Sequence, residues 1–252
     1  MIYAVPLGDV LGASGDWGTI LPLLRQYATN IPIYYLLGWI KRESGGDITD
    51  TTSAGEKGYF QISPGEARTY GYDLARLGTD PAYSIESGID LVGNYGEVAS
   101  GLGYSYGTDD FWSIVKLVHT VGKGGTQQLI NAAGGGTPSW SAIEAAVDPS
   151  MQVGGRTAAS AFGIVDDVFN QGATLADQLG VDMSEGQSSI SPQESNALLY
   201  GGIALGVVAL GALTWWVILP RVAPKFRRRY ALSGAGSRPR QLRRRSRASL
   251  SA

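Results

Sequence analysis

The 252-residue chain has no cysteine. A disulfide framework and a thiolate metal site are therefore both excluded, and cysteine usage leaves the redox compartment open. There is one histidine, His119, and the acidic spacing Asp47, Asp50, Glu56 does not match an EF-hand calcium loop. Neither a metal ion nor a cofactor is expected. Residues 1–16 lack a basic start and a continuous apolar core with a small-residue cleavage site, so they do not read as a secretory signal. A third absence is local: residues 197–219 carry no charge.

What is present suits one domain of ordinary size with appendages. Apolar residues make up 44% of the chain, with thirteen Tyr and six Trp against five Phe, a composition that fits an aromatic-lined cleft or an ordinary core. The net charge of −2 conceals a division. Up to Glu194 the chain has nine basic residues against 22 acidic ones, a balance of −13, and from Arg221 onward it has eleven basic residues and no acid.

Hydrophobic spacing predicts a mainly α-helical domain over 17–179. A first amphipathic helix runs over 17–27, and a second starts near residue 33, with Asn30 as the expected cap and Pro32 in its first turn. A polar loop over 47–64 carries a short apolar piece at 59–62. Further helices are expected over 64–70, 86–99, 111–121 (capped by Asp109 or Asp110 and ended by the glycines at 122–125), 126–133 and 139–147. The last pattern, 156–179, is expected to break at Gly163 and Gly172. The glycine cluster 122–125 follows a helix and lacks a Gly-Lys-Ser/Thr order, which excludes a phosphate loop.

Residues 180–196, rich in Ser, Gly and Gln, read as a linker. The 23 uncharged residues of 197–219 would form about 34 Å of helix, enough for a hydrocarbon layer of about 30 Å. Tyr200, Trp215 and Trp216 sit where interfacial aromatics belong, and the Arg-rich tail over 220–252 follows directly. A single-pass membrane segment is expected, with the basic end on the cytoplasmic or DNA-facing side. The tail, expected to be disordered alone, suits anionic lipid or DNA. Gly202 and Gly206 have the spacing of a helix–helix dimer motif, although apolar spans contain many glycines.

The stretch that organises the rest is 34–67. Ile33, Leu36, Leu37 and Ile40 share one helical face, and Glu43 lies one turn beyond Ile40, in the last turn before Gly45 and Gly46. Apolar neighbours and the negative end of the helix dipole should raise its carboxyl toward the range of a general acid, against the pull of Lys41 and Arg42. On its own, a glutamate there also fits an ordinary surface position.

Glu43-Ser44 followed by Gly45-Gly46, then Ser53-Ala54-Gly55, then Gly58-Tyr59-Phe60-Gln61-Ile62, resembles the glutamate-serine and Gly-Leu-Met-Gln motifs of soluble lytic transglycosylases. These are lysozyme-like enzymes that cleave peptidoglycan glycan strands. The likeness continues through Asp80-Pro81 and can be followed to about Gln171. It implies a lysozyme-like helical fold, Glu43 as the catalytic acid/base, and substrate contacts from Ser44, Tyr59 and Gln61. Where the family carries Ala-Tyr-Asn this chain has Val118, His119 and Thr120, which makes His119 and Thr120 further candidates for the sugar-binding cleft, with a satisfied core histidine as the other reading of His119. The family's late cleft tyrosine has no counterpart after Thr157.

The expected activity is cleavage of the N-acetylmuramic acid to N-acetylglucosamine β-1,4 bond with formation of a 1,6-anhydro end. Two alternatives stay open: a goose-type lysozyme that places water with Asp47 or Asp50, and a non-catalytic, membrane-anchored protein that structures an assembly or binds glycan. An anchored enzyme without a cleavable signal resembles the virion-associated transglycosylases of phages with an internal membrane, and the bacterial inner membrane is the alternative location.

Overall fold

Helix α2 (Ile33–Ser44) forms the axis of the domain: every residue from Ile33 to Ile40 is buried. The other helices are α1 (Trp17–Tyr27), α3 (Pro64–Tyr70), α4 (Leu74–Leu77), α5 (Pro81–Gly101), α6 (Asp109–Ala132), α7 (Trp140–Ala146) and α8 (Ala158–Leu179), the last of which packs along α2. One two-stranded antiparallel hairpin, β1 (Gln152–Val153) with β2 (Arg156–Thr157), precedes α8. The computed structural model describes residues 15–187. Those residues are mainly helical, at 62%, as hydrophobic spacing predicts. The expected membrane span 197–219, the Gly202 and Gly206 pair and the basic tail lie outside the described residues. No described helix is long and apolar enough to cross a membrane.

Most helix starts follow side-chain capping. Asp16 caps α1, Ser63 caps α3, Asp80 caps α5, Thr108 caps α6 and Ser139 caps α7, each accepting from a backbone N–H of the first turn. Three sequence expectations shift as a result. Helix α5 begins at Pro81, not near residue 86, because Asp80 and a first-turn proline start it there. Thr108 rather than Asp109 or Asp110 caps α6. Helix α2 has no side-chain cap at all: the Ile33 N–H donates to the Glu185 carbonyl at 2.9 Å, and Asn30 instead accepts the Tyr106 hydroxyl on its carbonyl at 2.5 Å.

The Glu185 contact also revises the linker. Residues of it pack onto the end of α1 and the approach to α2: Arg25 of α1 pairs with Glu185 at 2.6 Å, and a Cβ on Gly186 would stand 2.3 Å from the Ile31 carbonyl oxygen.

Two glycines behave otherwise than expected. Helix α8 runs unbroken through Gly163 and Gly172. Gly172 marks a close crossing: a Cβ there would lie 2.2 Å from the Tyr34 carbonyl oxygen, and a Cβ on Gly38 would lie 1.8 Å from that of Val168. Glycines on both helices let α2 and α8 approach nearly backbone to backbone, and this packing offsets the helix-propensity cost of each. At Gly122 the chain leaves helical geometry (φ 73, ψ 165) and then resumes as the second limb of α6. Gly122 therefore ends the first helical limb, as the sequence predicts, and the second limb follows without an intervening loop.

Candidate functional site

Glu43 leaves the last turn of α2, where Gly45 adopts the left-handed conformation (φ 65) that the sequence predicts for the helix exit. Its side chain is 22% exposed, whereas Lys116, from the middle of α6, is wholly buried beneath it. Lys116 Nζ donates to Glu43 Oε1. The same ammonium sits 4.0 Å from the centre of the Trp39 ring, a cation–π contact in a desolvated place, and 3.3 Å from His119 Nδ1. His119 Nδ1 is 4.0 Å from Glu43 Oε1. The imidazole is held between the rings of Trp39 at 5.0 Å and Tyr95 at 5.5 Å.

These contacts reverse the expected titration of Glu43. Burial does push its carboxyl upward, but the Lys116 ammonium, with smaller contributions from His119 and Arg42, outweighs it and holds the group below its ordinary value. Glu43 is therefore a carboxylate in the resting site, not an acid already protonated. Lys116 is displaced downward because burial outweighs the attraction of Glu43. Burial first, and Lys116 second, lower His119 to about 4. The ring is thus neutral near pH 7. Because an ammonium can only donate, Nδ1 accepts from Lys116 and the ring proton resides on Nε2.

The pair opens into a cleft of about 700 Å³ lined by residues from separate elements. Arg42 and Glu43 come from α2, Glu56 from the following loop, Ser63 from the α3 cap, Glu66, Thr69 and Tyr70 from α3, His119 and Thr120 from α6, Arg156 from β2 and Ile164 from α8. Glu66 is fixed on all sides. Its Oε2 accepts from the Ser63 N–H at 2.8 Å, completing a capping box, and its Oε1 accepts from the Tyr95 hydroxyl. Burial raises the Glu66 carboxyl, but the hydrogen bonds from Tyr95 and Ser63 prevail and keep it below its ordinary value.

The residues predicted from sequence divide into two groups. Glu43, His119 and Thr120 line this cleft together, and Thr120 Oγ1 donates to the Lys116 carbonyl at 2.8 Å. Ser44, Tyr59 and Gln61 do not line it. Ser44 is buried and donates to the Tyr59 carbonyl at 2.9 Å, beside a separate depression of about 450 Å³ that also contains Asp47 and Asp50. Tyr59 is fully buried. Gln61, in left-handed geometry (φ 48), donates through Nε2 to the carbonyls of Asp50 at 3.0 Å and Gly58 at 2.9 Å. Ser44 ties the loop to the end of α2 and Gln61 ties the loop to itself, so these residues brace the loop and do not line the cleft. Asp47 and Asp50, the sequence candidates for a water-placing second acid, are likewise apart from Glu43; the carboxylates that share its cleft are Glu56 and Glu66.

Sequence reasoning did not single out Lys116, Glu66 or Arg156, yet each left a trace. Lys116 interrupts the apolar run Ile114-Val115-Lys116-Leu117-Val118, and a lysine buried in such a run requires an acid. Ser63 and Glu66 have capping-box spacing. Arg156 follows Gly154-Gly155, a two-residue hairpin signal. Among the described residues no cluster of three or more His, Asp or Glu side chains suits a metal ion. No protein-family model, curated protein or solved structure matches this chain.

Proposed function

We propose that the chain is a peptidoglycan lytic transglycosylase with Glu43 as its single acid/base. The observation that supports this most is the convergence of Glu43 with His119 and Thr120, far apart in sequence, on one polar cleft large enough for sugar rings. A helical domain with its acid at the end of a buried central helix fits the same reading.

The buried lysine defines how such a site would work. The proton that Glu43 needs as a general acid is held against it by Lys116, whose burial makes that proton easier to release. Proton transfer from Nζ to Oε1 leaves two neutral groups, and poor solvation lowers the cost of reaching that state from the resting ion pair. Glu43 then protonates the glycosidic oxygen as the bond from C1 breaks. The C6 hydroxyl of the muramoyl ring closes on C1 and gives its proton to the Glu43 carboxylate, from which it can return to Lys116. No water is consumed, and the intramolecular hydroxyl replaces a bimolecular attack.

Mass spectrometry of digested sacculi tests the reaction. Anhydromuramoyl ends support it, whereas exclusively reducing ends would favour the hydrolase reading, with Glu66 rather than Asp47 or Asp50 as the acid already in the cleft. Zymography with Glu43→Gln tests catalysis itself. Equal, negligible clearing by wild type and variant sinks the enzyme reading in favour of a glycan-binding or structural protein, in which the Lys116 ion pair simply neutralises Glu43.

The location follows from sequence alone: an anchor over 197–219, with the Arg-rich tail toward anionic lipid or packaged DNA, in a virion with an internal membrane. Recovery from purified particles supports this. Recovery from uninfected cell envelopes would point to the bacterial inner membrane instead.

A further inference from the structure

Arg156 lines the Glu43 cleft with its charge unanswered. Its Nε is buried and has no acceptor, and Arg156 takes part in none of the ion pairs among the described residues. The other cationic groups at the cleft are engaged: Arg42 pairs with Asp167 at 3.6 Å, and Lys116 pairs with Glu43. A guanidinium donor withdrawn from water without an acceptor is costly, and the cost is recovered when an acceptor arrives.

The backbone holds Arg156 firmly in that position. It is paired with Val153 across the hairpin, and the two turn residues Gly154 and Gly155 have positive φ, 55 and 81. Gly154 packs so closely on α6 that a Cβ would stand 2.7 Å from the Val121 Cα. On the other side Thr157 caps α8, accepting from the Ser160 N–H at 3.2 Å. The α6 kink, the hairpin and the start of α8 together deliver one arginine to the cleft.

We infer that Arg156 takes a carboxylate carried on the side group of the glycan strand, so that the cleft recognises acidic muramoyl strands over neutral N-acetylglucosamine polymers. The planar guanidinium fork matches a carboxylate in two-point contact. The acids Glu43, Glu56 and Glu66 in the same cleft disfavour a multiply charged phosphate more strongly than a single carboxylate. The inference rests on the proposed glycan-binding role of the cleft and adds which strands it prefers. Two sources carry the required group: the free lactyl carboxylate of strands stripped of peptide, and the terminal carboxylates of an attached peptide.

The test is calorimetric binding to the full chain in mild detergent, on a Glu43→Gln/Lys116→Met background that removes the buried ion pair together, so that nothing is cleaved and no second cation is freed. Four soluble ligands are compared: peptide-bearing strands, amidase-stripped strands, the stripped strands after carboxyl reduction, and chitin oligosaccharides. The parent should bind at least one carboxylated strand about tenfold or more tightly than its neutral counterparts. Whichever carboxylated strand shows the gain identifies the source. Arg156→Gln should lose that gain while binding neutral strands unchanged, and Arg156→Lys should restore part of it. If Arg156→Gln keeps the preference, or the parent shows none, the inference is overturned. Cleavage of sacculi without a carboxylate preference would leave the transglycosylase reading standing, whereas a carboxylate preference without cleavage would do the reverse.

Discussion

Lys116 lies directly beneath Glu43, fully buried, with its ammonium shared between that carboxylate, the face of Trp39 and Nδ1 of His119. Its stability consequences are asymmetric. Glu43→Leu leaves a charged lysine buried without its counter-ion and should cost about 3 kcal/mol or more. Lys116→Met fills similar space, removes the buried cation and leaves a partly exposed carboxylate that water can reach, so it should change stability by less than ~1.5 kcal/mol. Denaturant titration of the two variants checks the ordering.

Lys116→Met should also move the titration of Glu43. With the ammonium gone, burial acts unopposed by its main counterweight, and the carboxyl should titrate at higher pH than in the parent. Carbon-detected NMR of labelled glutamate reads this directly. A Glu43 titration unchanged by the substitution would falsify Lys116 as the group that holds it ionised.

Acid sensitivity follows with a definite sign. His119 is lowered from 6.5 to about 4, so between those values the unfolded chain binds the proton more readily than the folded one. Stability is full above about 6.5 and falls with pH through that window, by up to ~3 kcal/mol. Glu43 and Glu66, both held below the ordinary 4.5, act in the same direction at lower pH: their contribution is present above 4.5 and lost as pH falls through their folded values. His119→Phe should flatten the slope between pH 6.5 and 4 in thermal melts, while leaving the drop below 4.5.

The crossing of α2 and α8 predicts sharply different outcomes for three glycines. Gly38→Ala and Gly172→Ala each drive a methyl group into a backbone carbonyl and should cost at least ~3 kcal/mol, because a backbone cannot give way as a flexible side chain can. Gly163→Ala, exposed on α8 with open space around it, should stabilise by about 0.5–1 kcal/mol through helix propensity. Circular-dichroism melts of the three variants compare them.

Glu66 belongs to both the cleft and the architecture. Glu66→Gln leaves one acceptor oxygen where two separate ones serve Ser63 and Tyr95, so its amide NH2 replaces an acceptor at one of them, and the change should cost about 1–3 kcal/mol. In a transglycosylase the fraction of anhydro product should be unchanged, because no water needs activating. A product ratio that shifts with Glu66→Gln would instead give this residue a part in the chemistry.

The amino-acid sequence determined by itself what depends on neighbours within a few positions. Periodic apolar residues placed Glu43 in the last turn of α2, and Gly45 marked where that helix ends. The same local reading misjudged Gly172, since a glycine that breaks a helix and one that admits a second helix look alike until the partner is known. It also put the Glu43 carboxyl on the wrong side of its ordinary value, because it counted the apolar neighbours and the helix dipole but not an ammonium 73 residues further along the chain. Burial and hydrogen bonding along a helix are short-ranged and are written in consecutive residues. The charge state of a partly buried carboxylate depends on whichever groups packing brings within a few ångströms, and here only the tertiary structure decided that these would be Lys116 and His119, with Arg156 on the same cleft.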